Sequence, residues 1–403
     1  MVYYRRNLLI LSLTSFISTC SMYQVVPFLP MFIVELGVTC GVTFWSGMTL
    51  AAQTIAAIVM LPYWGKLADK YGRKLMIIRA GVCLTLIYLG MSYCQNLWQL
   101  LFLRVLNGAL TGFAPASYTL VGTNTPQPEA ARSVAIVQSA AAFGTIAGPS
   151  VGSIMSDFVG YRSSMMFAGI MVAVAVILVY LLVEERQKVS DCKQPTSLWQ
   201  DFLLALKNPV LVIVLCSDMT YGFMAMASQP LLILYIHELI GFRVNMFTGL
   251  IFALPGLAIV LTNYCWCRLG ERYTFQRIIL VGLAGAGIFT VLQGLVRNIW
   301  WFAVAYFLVG LCSAAVSPNT AGLVATMVEA DFQGRAFSIQ QSSRCVGFFF
   351  GPLITGFLGG ILSLQWVFVV VGLLGLAVTI AIRLQLCTYQ HNEVKVPIQV
   401  DPH

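Results

Sequence analysis

Gly65-Lys66-Leu67-Ala68-Asp69-Lys70-Tyr71-Gly72-Arg73-Lys74 sets four cations, one carboxylate and two glycines between two long apolar runs. Glycine admits the partly left-handed backbone of a tight connection, so the stretch reads as a short loop between two membrane helices, with Gly65 and Gly72 making the turn and the cations anchoring one membrane face. A remnant recurs as Trp266-Cys267-Arg268-Leu269-Gly270-Glu271-Arg272-Tyr273. Trp64 then corresponds to Trp266 and, at the same offset, Gly47 to Gly249 and Asn96 to Asn298. The chain reads as a duplication.

Composition points to the solvent. The 403 residues are 59% hydrophobic and 9% charged, with mean hydropathy +0.85, where a soluble chain carries about 25% charged residues. A helix needs ~20 apolar residues to cross the hydrocarbon, and roughly twelve such runs are present, near 8–33, 44–64, 75–94, 97–121, 133–156, 163–183, 209–235, 246–265, 277–296, 299–322, 336–360 and 366–385. These are long and continuous, unlike the short alternating segments of a β-barrel. The predicted fold is an all-α membrane protein of twelve transmembrane helices in two six-helix bundles related by internal duplication. The expected organisation is an N-terminal bundle over 1–185, a cytoplasmic linker over 186–207 with an amphipathic segment near Trp199, and a C-terminal bundle with a short cytoplasmic tail over 208–403.

The first run follows Arg5 and Arg6 but continues through Pro27 and Pro30 without a small-residue cleavage site, so it reads as a retained span and not a secretory signal. With the amino terminus in the cytoplasm, Lys66, Lys70, Arg73, Lys74, Arg132, Arg186, Arg268, Arg272 and Arg383 share that side, and only Arg162, Arg243 and Arg297 fall opposite. This satisfies the positive-inside rule with both termini cytoplasmic. The net charge of +8 is thus a topology signal, and no basic face interleaved with aromatics suggests nucleic acid. The 11 cysteines lie mostly within spans, where a thiol packs as a small apolar group. No metal site or cofactor is expected, and no enzymatic activity, because the spans contain no nucleophile with a base and no His or carboxylate cluster.

The duplication continues through Gly148-Pro149, which recurs as Gly351-Pro352, with Gly144 recurring as Gly347 and Arg132 as Arg335. Gly144, Gly148 and Gly152 repeat every four residues, so one helix face is small and another backbone can approach it; Pro149 removes a helical hydrogen bond and bends the span. Both halves therefore present a bent, close-packing helix suited to an interface that must rock. Three charges lie clearly within spans, Arg104, Asp218 and Arg344, and each is costly in hydrocarbon. Arg104, near the outer end of its span, can snorkel. Asp218 is the one acid placed within a span. Asp218 and Arg344 both sit roughly 13–14 Å into the membrane at ~1.5 Å per residue, so they are expected to face each other or a shared wet cavity. Asp69 is an acid in a basic loop, and the unpaired amides at the start of the span near Arg335, on the same side, are available to it.

The loop from Gly65 to Lys74, the stretch Arg104-Val105-Leu106-Asn107-Gly108, the run Gly144-Thr145-Ile146-Ala147-Gly148-Pro149 with Gly152, and Pro27 with Pro30 resemble the signatures of the major facilitator superfamily, and more narrowly of its drug:proton antiporter branch with twelve spans. The resemblance covers almost the entire chain. It implies a gating role for Asp69, links Arg104 to proton transfer, and makes the glycine-proline run a mark of export. It also implies a cavity lined by spans 1, 4, 7 and 10, which makes Met22, Tyr23, Gln24, Asn107, Tyr221, Met224, Met226 and Asn319 candidate substrate contacts. No phosphate-cradling Gly-x-x-x-x-Gly-Lys-Ser/Thr sequence occurs, so energy must come from a gradient. The expected function is proton-coupled export of small lipophilic or cationic compounds by alternating access, in the cell membrane. The expected partners are the substrate, protons and the bilayer, with no nucleic acid, and the expected unit is a monomer. A transporter of one metabolite, sugar or siderophore on the same scaffold, and a membrane sensor that moves no solute, stay open as alternatives.

Overall fold

The computed structural model describes residues 3–185, 208–240, 245–328 and 330–393. All regular structure among the described residues is helical: α1 (Tyr3–Gln24), α2 (Leu29–Glu35), α3 (Val42–Tyr71), α4 (Arg73–Ser92), α5 (Leu97–Leu110), α6 (Phe113–Asn124), α7 (Gln127–Leu182), α8 (Pro209–Ala227), α9 (Gln229–Ile240), α10 (Asn245–Tyr273), α11 (Phe275–Leu295), α12 (Ile299–Ser313), α13 (Val316–Met327), α14 (Ala330–Leu358) and α15 (Leu364–Glu393). The linker segment expected near Trp199 lies outside the described residues.

Helix breaks follow local chemistry. Pro27 cannot donate a helical hydrogen bond, and α1 and α2 meet there at 51°. Gly112, at φ 129°, separates α5 from α6. Nine helical segments among the described residues are long and apolar enough to cross a membrane, or ten if the bent α1–α2 pair is one. The twelve sequence runs exceed that number at two places. The 56-residue α7 holds two runs in one helical segment, although it extends ~84 Å at 1.5 Å per residue and is interrupted at Gly160, φ 82°. α14 is long enough but polar through its middle, Gln340-Gln341-Ser342-Ser343-Arg344.

The duplication reappears bond by bond. The indole of Trp64 donates to the Ala109 carbonyl at 2.6 Å, and that of Trp266 to the Leu311 carbonyl at 2.8 Å. Asn96 and Asn298 cap α5 and α12, their side chains accepting from Gln99 N and Trp300 N. Gly72 (φ 100°) and Thr274 (φ 109°) occupy equivalent turns. A β-branched residue is strained at positive φ, by roughly 1–3 kcal/mol. Thr274→Gly is therefore expected to stabilise the protein by about 1 kcal/mol in a reversible unfolding measurement in detergent; a neutral or destabilising result would mean that the turn relaxes freely.

One hydrophobic core, around Phe28, Tyr88, Phe113 and Val172, draws only on the first half, and another, around Leu211, Ile279 and Leu323, only on the second. The glycine rows knit each half internally. A Cβ on Gly144, Gly148 or Gly152 would fall 2.7, 2.6 and 1.9 Å from the α1 carbonyls of Phe16, Cys20 and Gln24. On Gly347 and Gly351 it would fall 2.2 and 2.7 Å from the α8 carbonyls of Met219 and Phe223. This corrects the expectation that those glycines face the interface between halves. There the partners are Gly47 of α3, whose Cβ would lie 2.1 Å from the Pro352 carbonyl, and Gly249 of α10, 3.0 Å from that of Pro149. The side chain of Ser150 also donates to the Gly249 carbonyl at 3.1 Å. Gly144, Gly148 and Gly152 of α7 and Gly347 and Gly351 of α14 serve packing within a half, and Pro149 and Pro352 beside them meet the other half.

Candidate functional site

The Gly65–Lys74 stretch is not a two-glycine loop. α3 continues as helix through Gly65 to Tyr71, and Gly72 alone makes the turn. A glycine inside a helix costs about 1 kcal/mol without ending it, and the residues after Gly65 are adequate helix formers. The first amides of α4, Arg73 N and Lys74 N, donate to the two carboxylate oxygens of Glu185, each at 2.9 Å. An acid at a helix amino terminus meets both the free amides and the positive dipole end. The guanidinium of Arg73 donates to Thr123 Oγ1 (2.5 Å) and the Thr119 carbonyl (3.1 Å), and Lys74 Nζ to the Tyr180 carbonyl (2.9 Å). These cations fasten α4 to α6 and α7 within the first half. The expected contact of Asp69 with the start of α14 involves side chains outside the described residues.

Arg104 does not snorkel: it is 1% exposed and donates to Gln53 Oε1 at 2.8 Å. Its helix buries Leu97, Leu100, Arg104, Asn107 and Gly108, the i, i+3, i+4 stripe of an inward face. Nε and Nη2 of Arg104 and both side-chain polar atoms of Asn107 have no hydrogen-bond partner among the described residues.

In the second half Asp218 is completely buried, and the Arg344 side chain beside it is 16% exposed. Arg344 Nε donates to Asp218 Oδ1 at 2.9 Å, Nη2 approaches the same oxygen, and Gln340 Nε2 donates to Oδ2 at 2.8 Å. Gln340 also donates to Thr320 Oγ1 at 2.9 Å, so α8, α13 and α14 share one polar cluster. The approach is possible because Gly222 lies against the Arg344 carbonyl, which a Cβ would meet at 2.4 Å. The Arg344 guanidinium also lies over the Tyr221 ring, 5.2 Å from its centroid.

Tyr221 opens onto a cavity of about 260 Å³ lined by both halves: Tyr23, Val26, Thr145 and Pro149 from the first, and Tyr221, Met224, Met226, Ser228, Gln229, Phe252, Pro255, Tyr306 and Phe348 among those from the second. None of its lining residues is charged. Four predicted contacts, Tyr23, Tyr221, Met224 and Met226, come together here. The other four do not. Met22 is 37% exposed on the outside of α1. Gln24 donates to the Ser164 carbonyl and hydroxyl at 2.8 and 3.0 Å. Asn107 lies in the core with Arg104, and Asn319 donates to the carbonyls of Ala315 and Trp266 at 2.7 and 3.3 Å. Gln24 and Asn319 are tied up in helix packing by these bonds, since an unpaired buried amide costs ~1–3 kcal/mol, whereas Asn107 is buried away from the cavity without a partner among the described residues. α5, the expected fourth span, contributes nothing to this lining, whereas Phe252 and Pro255 of α10 and Phe348 of α14 do. Tyr306 could have been found from the duplication, since it is the counterpart of the inward-facing Arg104.

A second, larger space of about 950 Å³ opens toward the end that carries Tyr3, lined by Leu9, Leu13 and Phe16 of α1 and Ile136 and Phe143 of α7, with Arg5, Glu129 and Arg132 at its mouth.

Two helical bundles that meet on small residues around an uncharged cavity, with a buried ion pair beside it, are the architecture of a membrane transport protein. The Major Facilitator Superfamily profile matches residues 11–247 and 219–399, and the chain belongs to that family: it is a multi-pass transporter of the cell membrane and not an enzyme. Multidrug resistance protein MdtG of Proteus mirabilis is 30% identical over 371 residues, covering 91% of this chain and 92% of that one. MdtG of Salmonella arizonae is 30% identical over 356 residues, covering 87% and 88%. Among solved structures, the nucleoside transporter NupG superposes with TM-score 0.81 at 14% identity, covering 94% and 99% of the two chains. A bacterial homologue of the human lysosomal transporter Spinster, inward-facing and unoccupied, gives 0.78 at 13% identity, covering 96% of each. These two establish the fold alone.

Proposed function

We propose that the protein is a proton-driven multidrug exporter, moving small lipophilic or cationic compounds out of the cell by alternating access between bundles 1–185 and 208–403. The observation that carries this reading is the Asp218–Arg344 pair in contact with Tyr221 at the wall of the cavity. An ionisable pair largely withdrawn from water has a structural cost, and a site that takes up and releases a proton gives a reason for keeping it. The similarity to proteins named for multidrug resistance supports the direction of transport and the breadth of substrate. An uncharged wall of aromatic and methionine side chains can repack around unlike ligands.

In this reading the end carrying Tyr3 and Gly72 is cytoplasmic, the space lined by Phe16 and Phe143 is the inward-facing entrance, and the Gly47–Pro352 and Gly249–Pro149 contacts close the outer side. Asp69 is the cytoplasmic gate in the alternate state. Arg104, in the first half, is a second element of proton coupling. One proton crossing ~100 mV supplies about 2.3 kcal/mol, enough for a roughly fifty-fold gradient of a neutral solute.

Counterflow and pH-driven efflux in proteoliposomes test this, with a panel of chemically unrelated dyes and lipophilic cations. Movement of several dissimilar compounds, each accelerated by an imposed proton gradient, is expected. Transport of one compound alone would favour a specific transporter, and no movement of any would favour a sensor.

A further inference from the structure

Tyr221 has two neighbours of different kinds. The Arg344 guanidinium lies over the ring, 5.2 Å from its centroid, and Tyr221 itself lines the uncharged cavity. The Asp218 carboxylate has no exposed surface, and 16% of the Arg344 side chain is exposed. Asp218 therefore cannot touch a ligand itself, and the charged group that contacts the ring is Arg344. The other groups brought to Asp218 are neutral: Gln340 from α14 and, through it, Thr320 from α13. Among the described side chains, the other charged groups on helices packed against α8 sit near helix ends, with Arg277 two residues into α11, Arg383 close to the end of the Leu364–Leu386 span, and His237 and Glu238 in the last turn of α9.

We propose that Tyr221 is the cation-recognition residue of the cavity, and that Asp218 sets its affinity by holding or releasing the charge of Arg344 over the ring. This rests on the reading of Asp218 as the proton carrier and adds to it the way substrate and proton exclude one another. With Asp218 ionised, the pair is neutral overall, and the negative face of the ring can take a lipophilic monocation from the cavity side. With Asp218 protonated, Arg344 is an uncompensated cation over the same ring. At about 10 Å and an effective dielectric near 20, that charge weakens binding of a second cation on the order of tenfold. A neutral ligand of the same shape feels no such repulsion. The sign is that of exchange: proton uptake at Asp218 expels the cation, and proton loss readmits it.

Equilibrium binding to the full chain in nanodiscs, with no gradient imposed, tests this with tetraphenylphosphonium and the neutral triphenylmethanol as probes. Asp218→Asn, which mimics the protonated acid, is expected to weaken tetraphenylphosphonium binding about tenfold and to leave triphenylmethanol within about twofold. Adding Arg344→Gln to Asp218→Asn should restore the cation. Tyr221→Leu should lose about tenfold for the cation alone, and Tyr221→Phe, which keeps the ring, should bind as the wild type does. Equal losses for both probes in Tyr221→Leu, or unchanged cation binding in Asp218→Asn, would overturn the proposal. If the Asp218 variant fails to fold, the Tyr221→Leu and Tyr221→Phe pair decides alone. Absence of proton-driven efflux in the wild type would instead refute the exporter reading, so the two failures are distinguishable.

Discussion

Asp218→Asn is expected to abolish efflux driven by an imposed pH gradient, at least a hundredfold, while energy-independent exchange of a neutral substrate continues. The amide oxygen can take the place of Oδ1 and accept from Arg344, which now bonds the carboxylate at 2.9 Å; the amide nitrogen then stands where Oδ2 accepts from Gln340 at 2.8 Å, and Gln340 keeps that contact by turning its own amide so that its oxygen accepts. What is lost is the group that can carry a proton and the charge that balances Arg344. Removing one member of a buried pair costs about 3–5 kcal/mol when the other stays charged, so the variant should also be less stable than the wild type, and Arg344→Gln added to it should recover most of that loss. Asp218→Leu, which removes the hydrogen bonds as well, should express poorly. Full pH-driven efflux by Asp218→Asn would remove Asp218 from the coupling mechanism and leave Arg104 as the remaining buried candidate.

Gly47→Val should leave a folded, inserted protein that no longer transports. The valine Cβ would fall 2.1 Å from the Pro352 carbonyl, a backbone atom that cannot swing aside. The cores around Phe28 and around Leu211 do not draw on that contact, and a third cluster takes only Val26, with Met31 and Leu50 packed against it, from the first half, so the two bundles should be held apart at that end and not unfolded. Gly249→Val, against Ser153 and the Pro149 carbonyl, should behave the same way through the symmetric contact. Gly152→Val makes the contrast, since its Cβ would meet the Gln24 carbonyl at 1.9 Å inside the first half, and there folding itself should fail, as overpacking a tight helix pair does. The readouts are efflux, yield of inserted protein, and labelling of a cysteine placed in the cavity by Ser228→Cys. Normal efflux by Gly47→Val would mean that α3 and α14 need not touch during the cycle.

Local chemistry was readable in advance because it depends on residues close in sequence. Gly72 and its cations mark the turn after α3, and Asn96 and Asn298 stand where a helix start needs a side-chain acceptor; the break near Pro27 is equally local, although the first run reads as continuing through it. Gly65 misled because a glycine signals permission to turn and not an obligation. Glu185 on the α4 terminus was not readable, since nothing local connects residue 185 to residue 73.

The sequence by itself determined the solvent, the helical class and the duplication, because hydrocarbon demands long apolar runs with internally satisfied backbones and the repeat is a property of residue order. It also placed Asp218 and Arg344 at one depth, since rise per residue is constant. Only the tertiary structure decided which faces of those helices look inward. In water an amphipathic stripe announces the buried face, whereas in lipid the outside is as apolar as the core. Phe252 and Phe348 at the cavity and Phe102 and Phe357 on the outside are therefore the same residue to a reader of the chain. Met22 and Tyr23, adjacent in sequence, illustrate the same limit: one turns outward and the other lines the cavity, because α1 is rotated by its packing against Gly144, Gly148 and Gly152 of α7.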